Sequence, residues 1–146
     1  MLKPVTDSLI DSLRAALGEK GMRDVAQRYL EEPRARWKGQ AGVVVAPDTT
    51  EGVAEVVRLA AEAQVAAVPY GGGTGLVGGQ VMPDGPGPIV LSLERMNRIR
   101  GVYPEENALV AEAGATLAAV QSAAAEAGRL FPLSYASEGT ATIGGA

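Results

Sequence analysis

The chain has 146 residues and contains neither cysteine nor histidine. The absence of cysteine excludes disulfides, a thiolate nucleophile and cysteine-ligated metal sites. The absence of histidine removes the side chain that most often serves as a general base or a metal ligand. The sequence therefore predicts no metal site, and none of its residues is assigned as a catalytic base.

Basic charge and long apolar runs are also scarce. The 13 lysine and arginine residues are outnumbered by 17 acidic ones, which gives a net charge of −4 and no basic run. We therefore expect no nucleic-acid partner. No apolar run is long enough to span a bilayer, and the N-terminus does not resemble a signal peptide. The composition predicts a cytoplasmic protein with enough residues for one domain and its core.

Glycine, in contrast, is concentrated in one stretch, Pro69-Tyr70-Gly71-Gly72-Gly73-Thr74-Gly75-Leu76-Val77-Gly78-Gly79. Six of the nine residues from 71 to 79 are glycine, and an apolar run precedes them. Glycine adopts positive φ angles and lets other groups approach the backbone closely. Successive N–H groups in such a loop can form a concave anion site. A diphosphate is the ligand that this stretch suggests, with the Thr74 hydroxyl as an additional donor.

Two common phosphate-binding motifs do not fit this stretch. A P-loop would end in Gly-Lys-Ser/Thr, but Gln80 follows Gly79 here. The dinucleotide fingerprint G-x-G-x-x-G matches at Gly73, Gly75 and Gly78, and an acid follows at Glu94. That motif must open a helix, however, and residues 80–88 contain three prolines and two glycines, which prevents a crossover helix. The alternative of a flexible surface loop without a ligand stays open.

Hydrophobic periodicity and capping residues predict the other elements. Helices are expected at residues 6–17, 22–30, 50–63 and 116–127, and strands at 43–46, 65–68 and 89–93. Residues 98–103 and 108–113 flank a turn and predict an antiparallel hairpin. Buried faces are assigned to Val25, Ala26, Tyr29 and Leu30 in the second helix, and to Val53, Val56, Val57 and Ala60 in the third. The pattern of strand, helix and strand at 43–68 indicates a β-α-β unit.

The segment Arg34-Ala35-Arg36-Trp37-Lys38-Gly39 is the basic spot of the chain. We favour a solvated connection in which Trp37 packs against the fold, because charged residues are mostly exposed. The alternative is an anion contact near a cofactor.

The glycine stretch resembles the pyrophosphate loop of the vanillyl-alcohol oxidase / p-cresol methylhydroxylase flavoprotein superfamily. Further stretches agree with that superfamily in order and spacing: Val44-Val45-Ala46-Pro47, Leu91-Ser92-Leu93-Glu94-Arg95-Met96-Asn97, Ala111-Glu112-Ala113-Gly114, and Phe131-Pro132-Leu133 with Ser137-Glu138-Gly139-Thr140-Ala141-Thr142-Ile143-Gly144-Gly145. Within the superfamily these motifs resemble the 2-hydroxy-acid branch, which includes D-lactate dehydrogenase, D-2-hydroxyglutarate dehydrogenase and a glycolate oxidase subunit.

The resemblance implies an α+β fold in which N-terminal helices precede part of a p-cresol methylhydroxylase-type (PCMH-type) FAD-binding domain, with a small mixed sheet flanked by helices. It implies FAD as the cofactor, bound non-covalently because this segment offers no histidine or cysteine for attachment. The residues implied in the first loop are Pro69, Tyr70, Gly71, Gly72, Gly73, Thr74, Gly75, Gly78 and Gly79, around the diphosphate. Those implied on the flavin side are Pro132, Gly139, Thr140, Thr142, Gly144 and Gly145.

The resemblance also implies a division into an N-terminal helical segment, residues 1–36, and an incomplete FAD-binding domain, residues 37–146. Family members continue with asparagine where Ala146 stands, so we expect a truncated piece or one part of a split enzyme. The whole enzyme would oxidise a small 2-hydroxy acid of the glycolate or D-lactate type. We expect this piece to be inactive alone, to hold FAD weakly or not at all, and to self-associate or need a second subunit. The alternative is a non-catalytic remnant or interaction module without a cofactor.

Overall fold

The computed structural model describes residues 1–146, which form three α-helices, a four-stranded sheet and a separate hairpin. The elements are α1 Asp7–Leu17, β1 Met22–Arg23, β2 Val43–Val45, α2 Thr50–Ala63, β3 Ala67–Tyr70, β4 Ile89–Ser92, β5 Ile99–Tyr103, β6 Ala108–Ala111 and α3 Leu117–Glu126. Short 3₁₀ turns lie at Glu19–Gly21, Gln27–Tyr29, Pro104–Glu106 and Ile143–Gly145. None of the helices is both long enough and apolar enough to cross a membrane.

The four-stranded sheet has the order β1-β2-β4-β3. Strands β2, β4 and β3 run parallel, whereas β1 lies antiparallel at the edge beside β2. Strands β2 and β3, which α2 connects, are therefore not neighbours in the sheet, and β4 lies between them. Parallel strands covered on both faces carry continuous apolar runs, and β2 and β4 are buried along their whole length. The predicted small mixed sheet flanked by helices is confirmed.

Helices α1 and α2 cover one face of this sheet. Leu9 and Leu13 of α1 pack in one core with Val56 and Ala60 of α2. The strand residues in the same core are Val43, Val45, Ile89 and Leu91. Because side chains alternate along a strand, the intervening Val44 and Val90 face the opposite side. The N-terminal helix thus shares the core of the later residues, while the predicted division after residue 36 stays a prediction.

Two tyrosines fill the other face of the sheet. The rings of Tyr29 and Tyr70 meet edge to face at 4.9 Å between centroids, beside Val44 and Val90. The Tyr70 hydroxyl donates to the backbone carbonyl of Arg28 at 2.8 Å. Tyr70 ends β3, so this contact ties the start of the glycine-rich loop to the N-terminal segment.

The long helices and the hairpin agree with the sequence prediction. Threonine caps every α-helix: the hydroxyls of Thr6, Thr49 and Thr116 accept a backbone N–H from the first turn of α1, α2 and α3 respectively. Such capping satisfies donors that have no partner inside the helix. Strands β5 and β6 pair antiparallel across the Pro104–Glu106 turn. Strand β3 begins two residues later than predicted, because Gln64 ends α2 in the left-handed conformation and pairing with β4 starts at Ala67.

The predicted helix at residues 22–30 is wrong. Met22 and Arg23 instead pair with β2, and Gln27–Tyr29 forms only a 3₁₀ turn. Val25 is exposed, so the assigned helical face does not exist. A sheet edge that offers hydrogen bonds has here outweighed a weak helical pattern. Val57 of α2 was also assigned to the core but is 51% exposed, since the residue after Val56 lies about 100° further around the helix.

Glu112 fastens the base of the hairpin. Its side chain is fully buried, although the two arginines that contact it are largely exposed. It accepts the Arg98 backbone N–H at 2.9 Å, the Arg98 guanidinium at 2.8 Å and the Arg100 guanidinium at 3.1 Å. The hydrogen bonds from Arg98, helped by Arg100, lower the pKa of the Glu112 carboxyl to about 2. The charged form of this group is therefore part of the folded structure.

We predict that Leu13→Ala will destabilise the whole domain by about 2–5 kcal/mol, the usual cost of removing a buried leucine side chain. Leu13 is 0% exposed and belongs to the core that α2, β2 and β4 share. The control is Val57→Ala, whose side chain is half exposed and which we expect to change stability by less than about 0.5 kcal/mol. Urea unfolding followed by circular dichroism measures both. Loss of helix in a separate early transition, with the main transition unchanged, would show that α1 is an independent segment.

We also predict that Glu112 makes stability depend on pH in the acid range. Its folded pKa of about 2 lies below the ordinary value of 4.5, so its contribution is complete above about pH 5 and disappears as the pH falls toward 2. Glu112→Gln should therefore be less stable than the parent chain at pH 7, and the difference should narrow steadily between pH 5 and pH 2.5. Urea titrations at four pH values measure it. A difference that does not change with pH would exclude a charged Glu112.

Candidate functional site

The first loop, residues 71–79, leaves β3 at the edge where the parallel strands end. Ligands of parallel α/β sheets commonly bind at this edge. No helix starts within the loop, and the next regular element is β4 at Ile89. The rejection of the dinucleotide fingerprint at Gly73, Gly75 and Gly78 is thus confirmed, because that motif requires a helix that this chain does not form.

The second loop, residues 137–145, is tied to the start of α3 by main-chain hydrogen bonds. Leu117 N–H donates to the carbonyl of Ala141 at 3.0 Å, and Ile143 N–H donates to that of Ala115 at 2.8 Å. The N–H of Gly144 donates to Ala113 at 2.9 Å. The second loop is therefore anchored to the folded domain, with Ala141 and Thr142 buried.

The two loops touch through their backbones. A Cβ atom on Gly72 would lie 1.9 Å from the carbonyl oxygen of Thr140, and one on Gly71 would lie 2.5 Å from the Thr142 hydroxyl. At Gly72 the nearest atoms belong to the backbone, so only glycine fits there, whereas at Gly71 the Thr142 hydroxyl would have to rotate away. The close approach of the second loop thus explains the glycine at position 72.

Four successive N–H groups of the first loop, those of Gly71, Gly72, Gly73 and Thr74, donate no hydrogen bond within the chain. They border a cavity of about 490 Å³ that lies between the two loops. No charged side chain lines this cavity. Gly73 has a φ of +69°, the left-handed conformation from which neighbouring N–H groups can converge on one anion. This arrangement of donors without acidic neighbours suits a diphosphate.

Most residues predicted for the first loop border this cavity, and the second loop contributes two of those predicted for it. The predicted residues that line it are Pro69, Gly71, Gly72, Gly73, Thr74, Gly75, Gly79, Thr142 and Gly145. Six further residues line it that were not predicted from the sequence: Val77, Gln80, Tyr135, Ser137, Ala141 and Ala146. Ser137 and Ala141 belong to the second-loop motif and could have been included on that ground. Gln80 and Tyr135 carried no signal in the sequence.

The remaining predicted site residues lie in other places. Gly139 and Thr140 line a neighbouring cavity, and Tyr70 is buried beneath the first loop. Pro132 is exposed and borders neither cavity. Gly144 packs against Ala113, where a Cβ would approach within 2.6 Å. The assignment of these residues to a cofactor stays a prediction.

The Trp37 ring packs against Gly78 of the first loop. Gly78 has a φ of +79°, and a Cβ there would be 3.0 Å from the Trp37 ring. The carboxylate of Glu32, which is buried, accepts the backbone N–H groups of Arg34 and Arg36 at 2.9 and 2.6 Å and shapes the turn that presents Trp37. Trp37 stays 49% exposed, so the packed tryptophan that we favoured is only half covered. The anion contact stays an alternative.

The neighbouring cavity, about 690 Å³, shares Gly71, Gly72 and Thr142 with the first. It contains one acidic and one basic side chain, Glu94 and Arg28, which pair at 3.0 Å. Burial alone would raise the pKa of Glu94, but hydrogen bonds from Arg23 and Tyr29 and the nearby arginine charges lower it. The charges of Glu94 and Arg28 compensate one another. The neighbouring cavity is therefore a less suitable anion site than the first.

Comparison with known families agrees with this geometry. Residues 41–146 match the family described as FAD binding domain, and the chain belongs to that family. FAD is accordingly the cofactor of the class to which the fold and the glycine loops assign the chain.

Among individual proteins, the chain is similar to D-2-hydroxyglutarate dehydrogenase of Xanthomonas citri pv. viticola, with 36% identity over 144 residues. That alignment covers 97% of this chain and 30% of the relative. The chain thus spans about a third of the length of this relative.

Solved structures confirm the fold. The structure superposes on alkyldihydroxyacetonephosphate synthase with a TM-score of 0.84 and 19% identity, over 99% of this chain and 30% of that chain. It superposes on p-cresol methylhydroxylase with a TM-score of 0.72 and 22% identity, over 97% and 30% respectively. At these identities the likeness concerns the fold alone. The predicted PCMH-type α+β fold is confirmed.

We predict that Gly72→Ala will weaken the domain by roughly 1–3 kcal/mol, because the new methyl group must push the two loops apart. The matched control is Gly79→Ala in the same loop, where a Cβ meets nothing within 4 Å and φ is not positive. We expect it to change stability by less than about 0.5 kcal/mol. Thermal unfolding of the three proteins makes the comparison. Equal melting temperatures for the parent chain and Gly72→Ala would show that the loops do not meet in solution.

Proposed function

We propose that residues 71–79 hold the diphosphate of FAD, with the free N–H groups of Gly71, Gly72, Gly73 and Thr74 and the Thr74 hydroxyl as donors. The observation that carries the proposal is this run of four unpaired N–H groups beside a cavity that no charged side chain lines. A diphosphate supplies many strong acceptor oxygens, which match donors of this kind. The Thr74 hydroxyl has no partner within the chain, so it is available as well.

The second loop supports the flavin side in this proposal. Thr142 and Gly145 line the same cavity as the first loop, and the main-chain bonds to α3 hold them in place. Gly139, Thr140, Gly144 and Pro132 complete the assignment. A bound flavin accepts hydride, and this is chemistry that protein side chains lack. The chain contributes position and hydrogen bonds. Because it contains no histidine or cysteine, it has no residue of these types for covalent attachment.

The activity we propose for the whole protein is oxidation of a small 2-hydroxy acid. Support comes from the family resemblance and from the relative whose name is D-2-hydroxyglutarate dehydrogenase. D-2-hydroxyglutarate, D-lactate and glycolate are therefore the first substrates to compare. The same proposal includes a cytoplasmic location and a domain boundary after residue 36. It also includes a second subunit or a second copy of the chain that completes the site.

The chain contains a reporter for the test. Trp37 is its single tryptophan and lies against Gly78 in the first loop. Flavin absorbs where tryptophan emits, so FAD bound in the cavity should quench this fluorescence. We expect saturable quenching with a Kd weaker than about 1 μM, because high affinity requires burial of most of the ligand surface. We expect no reduction of a dye by residues 1–146 with the three acids, since the cavity contains no basic side chain.

The discriminating variant is Thr74→Val, which removes a hydroxyl that bonds nothing in the chain. We expect its Kd for FAD to rise about fivefold to tenfold, the usual effect of one lost hydrogen bond, with an unchanged melting temperature. The control is Thr50→Val, an exposed threonine of α2 outside both cavities. Unsaturable quenching up to millimolar FAD would contradict diphosphate binding at this loop and favour an interaction module without a cofactor. Identical affinities for all three proteins would show that the Thr74 hydroxyl does not contact the bound FAD.

A further inference from the structure

The side chain of Gln80 bridges the middle of the first loop. Its carbonyl oxygen Oε1 accepts the backbone N–H of Gly75 at 3.0 Å. Its amide nitrogen Nε2 donates to the backbone carbonyl of Gly73 at 3.0 Å. Both ends of one amide group are thus engaged by residues on either side of Thr74.

The bridge needs the chain to turn back after Gly78. The N–H of Val81 donates to the carbonyl of Gly78 at 3.2 Å, and Gly78 adopts a φ of +79° next to the Trp37 ring. This turn returns Gln80 to the loop that it has just left, where it is partly buried and lines the cavity. Its position therefore follows from the fold of the loop.

The two bonds have different consequences for an anion. A free backbone carbonyl beside the cavity would repel phosphate oxygens. The carbonyl of Gly73 is not free, because it accepts a hydrogen bond from the Gln80 amide. The bond to Gly75 fixes the other side of Thr74, while the N–H groups of residues 71–74 stay free. Glycine-rich segments lose much conformational freedom when they become ordered. A clamp that orders the loop before a ligand arrives lowers the cost of binding.

We propose that Gln80 is a positioning residue of the first loop, which holds residues 73–75 in the anion-binding conformation before the cofactor binds. The identity of the anion as the diphosphate of FAD rests on the proposed function above. Gln80 acts through the backbone of Gly73 and Gly75.

The first part of the test concerns the protein without FAD. Amide hydrogen exchange, measured by NMR, should show Gly75 protected in the parent chain, because its N–H is bonded to Gln80. In Gln80→Ala the exchange of Gly75 should accelerate about tenfold. The matched control is Gln40→Ala, which removes another glutamine amide bonded to a loop carbonyl, that of Gly85, outside the cavity. It should leave Gly75 unchanged. Unaltered exchange of Gly75 in Gln80→Ala overturns the clamp.

The second part measures FAD binding by NMR titration up to millimolar concentration, which covers weak affinities. Gln80→Ala should raise the Kd about tenfold relative to the parent chain and Gln40→Ala, consistent with the loss of two hydrogen bonds that order the site. Gln80→Glu should be at least as weak at pH 7, since a carboxylate cannot donate to Gly73. Near pH 4.5 its carboxyl becomes partly protonated, regains a donor and should recover affinity, whereas Gln80→Ala should not.

The outcomes separate the two claims. If the parent chain binds FAD and Gln80→Ala binds equally well, the positioning role is wrong and the proposed function stands. If neither chain binds FAD, the proposed function fails, and with it the role of Gln80 toward a cofactor. If Gln80→Ala lowers the free energy of unfolding of the FAD-free protein by as much as it lowers the binding free energy, Gln80 serves stability and the proposal is also overturned.

Discussion

The structure depends on the contact between two loops, at Gly71 and Gly72 on one side and Thr140 to Thr142 on the other. The nearest approach leaves no room for a single methyl group, since a Cβ on Gly72 would reach within 1.9 Å of Thr140. Each loop is in turn held by a rigid element, the first by β3 and the second by α3. The cavity between them lies where the end of β3 and the start of α3 bring the two loops together.

The remaining parts of the chain support this contact from a distance. The Tyr70 hydroxyl anchors the start of the first loop to the N-terminal segment, and Trp37 lies against its far end at Gly78. Behind the second loop, Glu112 gathers Arg98 and Arg100 at the base of the hairpin. Gly114 follows, at a point where a Cβ would lie 2.0 Å from the carbonyl oxygen of Leu93. A tight backbone approach thus follows both β3, at Gly72, and β6, at Gly114.

Local signals in the sequence predicted much of this architecture, and contacts between distant residues account for the errors. Helices α1, α2 and α3 are long and capped by threonine, so periodicity and capping suffice to find them. The strand Met22–Arg23 has only two residues and is defined by its pairing with β2, which no local pattern shows. Gln80 was missed for the same reason: its role depends on a turn at Gly78 that brings it back to Gly73 and Gly75. Glycine density revealed where the first loop lies, but not that Thr140 would meet it.

Anion binding is assigned to the backbone N–H groups of Gly71, Gly72, Gly73 and Thr74. The measurement that tests this most directly is a ¹H–¹⁵N correlation spectrum of the chain, recorded while FAD is added. We predict that the largest shifts, downfield in the proton dimension, occur at these four amides, and that inorganic pyrophosphate reproduces them at higher concentration. Shifts that centre on Arg28, Glu94 and Asn97 in the neighbouring cavity, with residues 71–74 unchanged, would contradict it.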